Sequence, residues 1–201
     1  MSKARFSLAY WAPVDYYASL LKFDSICFEQ WESFPKQSYR NRCYIDSPNG
    51  KLMLNFPVDH SSKKQIKDTR LSTKEKWQQK HWQALISSYG NSPFFDAIAP
   101  EIELFYQKDW QFLIDLNLAC HELIGKCLRL SNDFYLSSSW QIEDQNELDL
   151  REKFHPKKDS QTDFTAYPQV FDHKHGFLKN LSVLDLIFNE GPASYDYLQQ
   201  L

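Results

Sequence analysis

Glycine is scarce in this chain and never clustered: the five glycines stand alone at positions 50, 90, 125, 176 and 191. A Walker loop or a G-x-G-x-x-G turn needs several of them close together, so phosphate cradles of those kinds are excluded. Cysteine is sparse too. Cys27, Cys43, Cys120 and Cys127 show no C-x-x-C spacing, which argues against a disulfide scaffold and for reduced thiols in a cytoplasmic protein. There is no H-E-x-x-H zinc helix and no G-x-S-x-G nucleophile elbow. His173 and His175 are the only histidines at metal-ligand spacing; a strand would place them on one face, and a mobile polar loop explains them equally well, so no metal site is assigned. Excess positive charge is missing as well. With 23 Lys+Arg against 26 Asp+Glu, net charge -3 and pI near 6.1, the chain lacks the basic surface of a nucleic-acid binder. No apolar run approaches the length of a membrane span, and the opening MSKARFSLAYWAPVDYY has no secretory core, so a soluble, cytoplasmic protein is expected.

What the chain does have is length for a sizeable core and an aromatic content of 16%. At 201 residues one domain is the simplest organisation. The aromatics suit a core, or a surface on which sugars stack. The densest stretch of chemistry runs from Glu29 to Val58. Tyr39-Arg40-Asn41-Arg42-Cys43-Tyr44-Ile45 alternates with period two, which reads as a strand with Arg40, Arg42 and Tyr44 on one face. Asn49-Gly50 then signals a hairpin turn with positive φ at both residues, returning as a strand over Lys51–Phe56. Paired guanidiniums on such a ribbon suit capture of phosphate or carboxylate. Alternatively, they pair with Glu29 or Glu32.

The remaining elements follow from local signals. A strand is expected at Phe6–Leu8, a helix opening at Pro13 with Tyr16, Tyr17, Leu20 and Leu21 on one stripe, and a second strand at Ser25–Phe28. The polar link DHSSKKQIKD leads to a short strand over Ile66–Leu71. Ser72-x-x-Glu75 has capping-box spacing, so a helix is expected from Ser72 to Tyr89, stopped by a left-handed Gly90. Pro100 divides Pro93–Tyr106 into two short helices, and Asp109 caps a long helix running to Cys127. Residues 144–164 read as an exposed polar loop, in which Lys157 and Lys158 form either a solvated pair or a lid over an anion. Thr165–Phe171 resumes as a strand. Ser182 opens a helix that buries Leu184, Ile187 and Phe188. The expected fold is therefore α/β: a single compact domain with a mixed sheet that contains the hairpin and is covered by several helices.

Taken in order, several segments resemble the WbqC-like family of bacterial proteins. They are YWAPVDYYASLL, KQSYRNRCYI with its NG turn and FPV, WQQKHWQALISSYGNSPFF, the LNL around Asn117, and YPQVFDHKHGFLKNLSVLDLIFNEGP. Where many members carry Gln-Pro near the first strand, this chain has Leu8-Ala9. The resemblance implies a cytoplasmic step in O-antigen or other surface-polysaccharide biosynthesis. The function expected from it is transfer of an acyl or aminoacyl group to a nucleotide-linked or carrier-linked amino sugar. The partner is then a small-molecule or sugar-linked substrate, with no nucleic acid and no membrane span, and no cofactor is specified.

Such chemistry needs a base near neutral pH, and His81 is the candidate; the alternative is an imidazole packed between Trp77 and Leu85. Asn117 is the second catalytic candidate. Arg40, Asn41, Arg42, Tyr16 and Asn189 are expected to bind the anion or substrate, although asparagines serve more often as caps. A thiol enzyme using Cys27 or Cys43 with His81 is a further possibility. A non-catalytic module binding carbohydrate or protein in the same pathway is the competing class.

Overall fold

The structure, a computed structural model, describes residues 2–59, 65–140 and 147–201. Its sheet begins with β1 (Lys3–Ser7), which is followed by α1 (Val14–Leu20) and the parallel strand β2 (Ser25–Glu29). Pro13 sits at the helix N-cap, where its missing N–H costs nothing. A hairpin of β3 (Arg42–Ile45) and β4 (Leu52–Asn55) comes next, then α2 (Trp77–Tyr89), α3 (Phe95–Gln107) and α4 (Leu113–Leu128). The chain re-enters the sheet as β5 (Asp133–Leu136) and β6 (Leu148–Asp149) and ends in α5 (Asp172–His175), α6 (Val183–Glu190) and α7 (Ser194–Gln199). The fold is a single compact α/β domain.

Strand order in the parallel sheet is β5-β2-β1-β6. The chain builds outward from β1 to β5, then returns to the other flank of β1 with β6. That reversal falls between β1 and β6, and ligand crevices in open α/β sheets form at the carboxyl ends of strands beside such a reversal. One face of the sheet is apolar: Ala4, Phe6, Ile26 and Phe28 are all fully buried, with Tyr16 of α1 and His121 of α4 packed on the two phenylalanine rings. Alternation puts Arg5, Ser7, Cys27, Glu29 and Tyr135 on the other.

The hairpin forms its own antiparallel two-stranded sheet rather than joining the parallel one, with Ile45 opposite Leu52 and Arg42 opposite Asn55. Its connection is longer than an Asn-Gly pair. The Gly50 N–H donates to the Ser47 carbonyl, Pro48 follows Ser47, and only Gly50 takes a positive φ, of 92°. Proline's fixed φ favours this wider turn over one with positive φ at both central residues. Arg40 lies outside the strand. Its carbonyl accepts from Asn117 Nδ2 of α4 at 2.9 Å, so its backbone is tied to a helix instead of to β4.

Other boundaries move for identifiable reasons. Ser72 Oγ accepts from the Lys74 N–H at 3.3 Å and closes a local turn, so α2 starts at Trp77, beyond the capping box. Gly90 keeps a right-handed φ of -56°. One helix runs through Pro100, since the carbonyl it leaves unpaired belongs to exposed Asp96 in the first turn and is open to water. Asp109 does not cap α4, which begins after Phe112. Ile66–Asp68 is a 3-10 turn and Thr165–Phe171 forms no strand. Of the expected polar loop, residues 144–146 lie outside those described, as do 60–64 of the polar link. Residues 147–151 supply β6 and buried Leu150 and Arg151.

Helix α6 meets expectation. Ser182 Oγ accepts from the Leu184 N–H, and Leu184, Ile187 and Phe188 are buried. Phe188 packs on Tyr89 and Phe95, with ring centroids 5.0 and 5.2 Å apart. Phe188→Ala should cost about 3–5 kcal/mol of unfolding free energy in urea titrations. A loss under about 1 kcal/mol would show that this helix is dispensable to the core.

Candidate functional site

Two groups of charges meet where β1, β2 and β6 end. In the first, Arg40 donates through Nε and Nη2 to the two Glu32 oxygens at 2.8 and 2.6 Å, and through Nη2 to Ser7 Oγ at 2.6 Å. Ser7 Oγ in turn donates to Glu32 Oε2 at 3.0 Å. In the second, Glu29 Oε2 lies 3.1 Å from Arg5 and 3.5 Å from Arg151, while Glu29 Oε1 accepts from Ser137 Oγ and the Trp31 N–H. Arg5 also donates to Glu147 at 2.8 Å, and Arg151 to Asp149 at 2.6 Å. Arg151 holds the Asp149 carboxyl below its usual range. Glu29 is fully buried and Arg5, Glu32, Arg40 and Arg151 nearly so.

A crevice opens between these groups, lined by Ser7, Tyr16, Arg40, Leu150, Arg151 and Phe154 among others. Only about 10 Å³ of it is free, roughly the space of one water. Phe154 fills the rest, stacked on Phe6 at 5.9 Å and edge-on to Tyr16 at 5.1 Å. Tyr16 donates its hydroxyl hydrogen to the Ser7 carbonyl at 3.0 Å.

The other residues singled out from the sequence lie away from this crevice. His81 is buried, with Nε2 3.1 Å from the Asn55 carbonyl and Nδ1 2.8 Å from the Tyr10 hydroxyl. A carbonyl only accepts, so Nε2 carries the hydrogen and Nδ1 must accept from Tyr10. Tyr10 then accepts from Tyr106 at 2.6 Å, and Tyr106 accepts from Trp11 Nε1 at 2.9 Å. Every member of this chain is satisfied in one direction. Burial pushes the His81 pKa down to about 4.

Asn117 and Asn41 donate to the carbonyls of Arg40 and Phe56, and Asn189 to that of Asp185. The Oδ1 atoms of Asn41 and Asn117 are buried without a partner among the described residues. Arg42 reaches Met53 Sδ at 3.7 Å and does not share a pocket with Arg40. Burial raises the Cys43 thiol and pushes that of Cys27 up to about 11, so neither is an activated nucleophile. His175 lies on the one-turn helix α5 and contacts Asp46 at 3.1 Å. Among the described residues no His/Cys/Asp/Glu cluster is placed to hold a metal, and no helix is long and apolar enough to cross a membrane.

Sequence reasoning named Glu29 and Glu32 as possible arginine partners but missed Arg5, Ser7, Glu147, Asp149 and Arg151. A signal was present in Glu147-Leu148-Asp149-Leu150-Arg151, which alternates with period two as a strand does.

Comparison with known proteins gives a family and one relative. The sequence model of the WbqC-like protein family matches residues 9–158. An uncharacterized protein of Mycobacterium tuberculosis (strain ATCC 25618 / H37Rv), Rv1507c, is 24% identical over 196 residues, covering 83% of this chain and 84% of its own length. No solved structure matches.

Two outcomes follow from the geometry. Glu32→Ala strands a buried guanidinium and should cost about 3–5 kcal/mol in urea unfolding, whereas pairing Glu32→Leu with Arg40→Met should restore most of the loss. A single variant as stable as the wild type would show that the pair is solvated. Between pH 6.5 and about 4 the unfolded chain binds a proton at His81 that the folded chain refuses. Stability linked to this ring is therefore full above pH 6.5 and falls as pH drops toward 4, by about 3 kcal/mol in total. His81→Gln should flatten that slope, and an NMR titration placing the His81 midpoint near 6.5 would contradict the buried hydrogen-bond chain.

Proposed function

This chain belongs to the WbqC-like protein family, and from that premise and the charged carboxyl edge of its sheet we propose a cytoplasmic transferase of surface-polysaccharide, O-antigen-type, biosynthesis. It moves an acyl or aminoacyl group onto an amino sugar carried by a nucleotide or another carrier. The observation that carries this reading is Arg40, a guanidinium 2.6 Å from both Ser7 Oγ and Glu32, in a crevice shared with Arg151 at the reversal between β1 and β6. Two planar guanidiniums suit a diphosphate, which they can grip bidentately.

The roles assigned from sequence to His81 and Asn117 pass to Glu32 and Arg40. As the sugar amine bonds to the acyl carbon, Glu32 accepts the proton the amine loses and Arg40 answers the negative charge on the carbonyl oxygen. The bond from that carbon to the acyl donor's carrier then breaks, and the carrier leaves with the electron pair and the proton returned by Glu32. Substrate enters only if Phe154 leaves Phe6 and Tyr16, because the crevice as it stands admits no more than a water. The stretch that moves carries exposed Lys157 and Lys158, which supports the reading of this segment as a lid over an anion.

A second reading, a non-catalytic module that binds carbohydrate or protein in the same pathway, draws on the exposed rings of Phe134, Tyr135 and Trp140, which are 41%, 42% and 50% exposed. It expects binding without turnover.

A thermal-shift screen against nucleotide sugars, acyl-CoAs and amino acids tests the proposal. A ligand at 100 times its Kd should add about 2.7 kcal/mol, which for a chain of this size is a rise of about 5–10 °C. Arg40→Lys and Arg151→Lys should each cut that rise, because the planar fork is lost while the charge remains. If no compound in the screen raises the midpoint, or if both variants respond as the wild type does, the carboxyl edge is not the substrate site.

A further inference from the structure

A second cavity, of about 450 Å³, lies between the start of α2 and the last turns of α3. Its size is that of a small-molecule site. Four aromatic rings, Trp77, Trp82, Tyr106 and Trp110, form its floor. Three of them are more than nine-tenths buried, while Trp82 is half-buried, backed by Phe95 in a near-parallel stack at 6.1 Å. The floor is rigid, since Tyr106 is fixed by its bonds to Tyr10 and Trp11.

The rim is polar. Glu75, Glu103, Asp109 and Lys76 line it, together with the amides of Gln78, Gln79 and Gln107, and the Lys108 ammonium lies 4.2 Å over the Trp110 ring. Gln78 donates to the Lys108 carbonyl and Glu75 contacts Lys80. Gln79, Glu103, Gln107 and Asp109 make no side-chain hydrogen bond to any described residue. Their donors and acceptors are thus available to a ligand. Acceptors outnumber donors on this rim, so the ligand it satisfies is rich in hydroxyl or amino hydrogens. Glu103 and Asp109 form no ion pair with any described residue, and such carboxylates disfavour phosphate, which separates this cavity from the guanidinium-lined crevice. An indole floor beneath such a rim suits a ring with an apolar C–H face and equatorial hydroxyls.

We infer that this cleft binds a pyranose unit, neutral or amino-bearing and free of phosphate, with its C–H face on Trp82 and its hydroxyls on Glu103 and Gln107. The inference stands on the cleft's own composition and does not depend on transferase chemistry at the carboxyl edge.

The test is a saturation-transfer NMR and tryptophan-fluorescence titration of the full chain. The probes are the methyl glycosides of glucose, galactose, N-acetylglucosamine and glucosamine, and a trisaccharide of N-acetylglucosamine, with uridine diphosphate as the anionic control. Saturable binding of at least one glycoside is expected, weakened about fivefold or more by Glu103→Ala and by Gln107→Ala, each removing about one hydrogen bond. Both side chains are exposed, so the thermal midpoint should not change, and Arg40→Lys should leave glycoside binding intact. Absence of saturable binding across the glycosides, binding indifferent to both rim variants, or uridine diphosphate as the preferred ligand of this cleft would each overturn the inference. A failure here leaves the thermal-shift result at Arg40 standing, and the reverse also holds.

Discussion

A parallel sheet usually hides both faces under helices, but here the second face of β1 and β2 carries Arg5, Ser7 and Glu29. Those charges cannot be left alone in a place that water hardly reaches, so each must find partners supplied by other parts of the chain. Arg5 takes Glu29 and Glu147, Arg151 takes Glu29 and Asp149, and Arg40 takes Glu32 and Ser7. The segment running from Glu147 to Arg151 therefore docks by charge more than by apolar burial. Leu148, the first residue of β6, is 54% exposed. Buried pairs of this kind add little net stability compared with apolar packing, yet they permit only one arrangement of the strand ends.

The same constraint explains where sequence reading works and where it stops. Ser182 and Pro13 act within one helical turn, and their helices form as read. The alternation in β3 and β4 also survives, because Cys43, Ile45 and Leu54 bury one face of the ribbon. Signals that needed distant context failed. Glu147 and Arg5 are 142 residues apart, and nothing local marks them as partners. Read alone, Glu-Leu-Asp-Leu-Arg looks like solvated loop because its charges suggest water. Beside β1 it is a strand whose charges face one another. Arg40 shows the milder case, in which Glu32 was one of the partners anticipated, but its departure from the strand depends on Asn117 of α4.

The His81 chain shows how polar groups can serve a core without being reactive. Trp11 can only donate and the Asn55 carbonyl can only accept, so the two ends fix every hydrogen between them. A helix bearing an aromatic stripe could slide or rotate against its neighbours with small loss of contact. This directional chain sets α2 and α3 at one position on the Tyr10-Trp11 segment, and satisfied networks of that kind specify a unique packing.

The chain also carries a constraint in time. Pro13 bridges to Ser182, the Val14 N–H donates to the Leu181 carbonyl, and the Val183 N–H donates to the Ala12 carbonyl. Residues 12–14 are thus sewn to residues far along the chain, at 181–183. During synthesis, the backbone groups of residues 12–14 wait for these partners until the 181–183 segment has left the ribosome. Closing so long a loop precedes the contacts that reward it, which slows folding and exposes the intermediate to aggregation. Production of this protein should accordingly be limited by chaperone supply and temperature before it is limited by the stability of the finished domain.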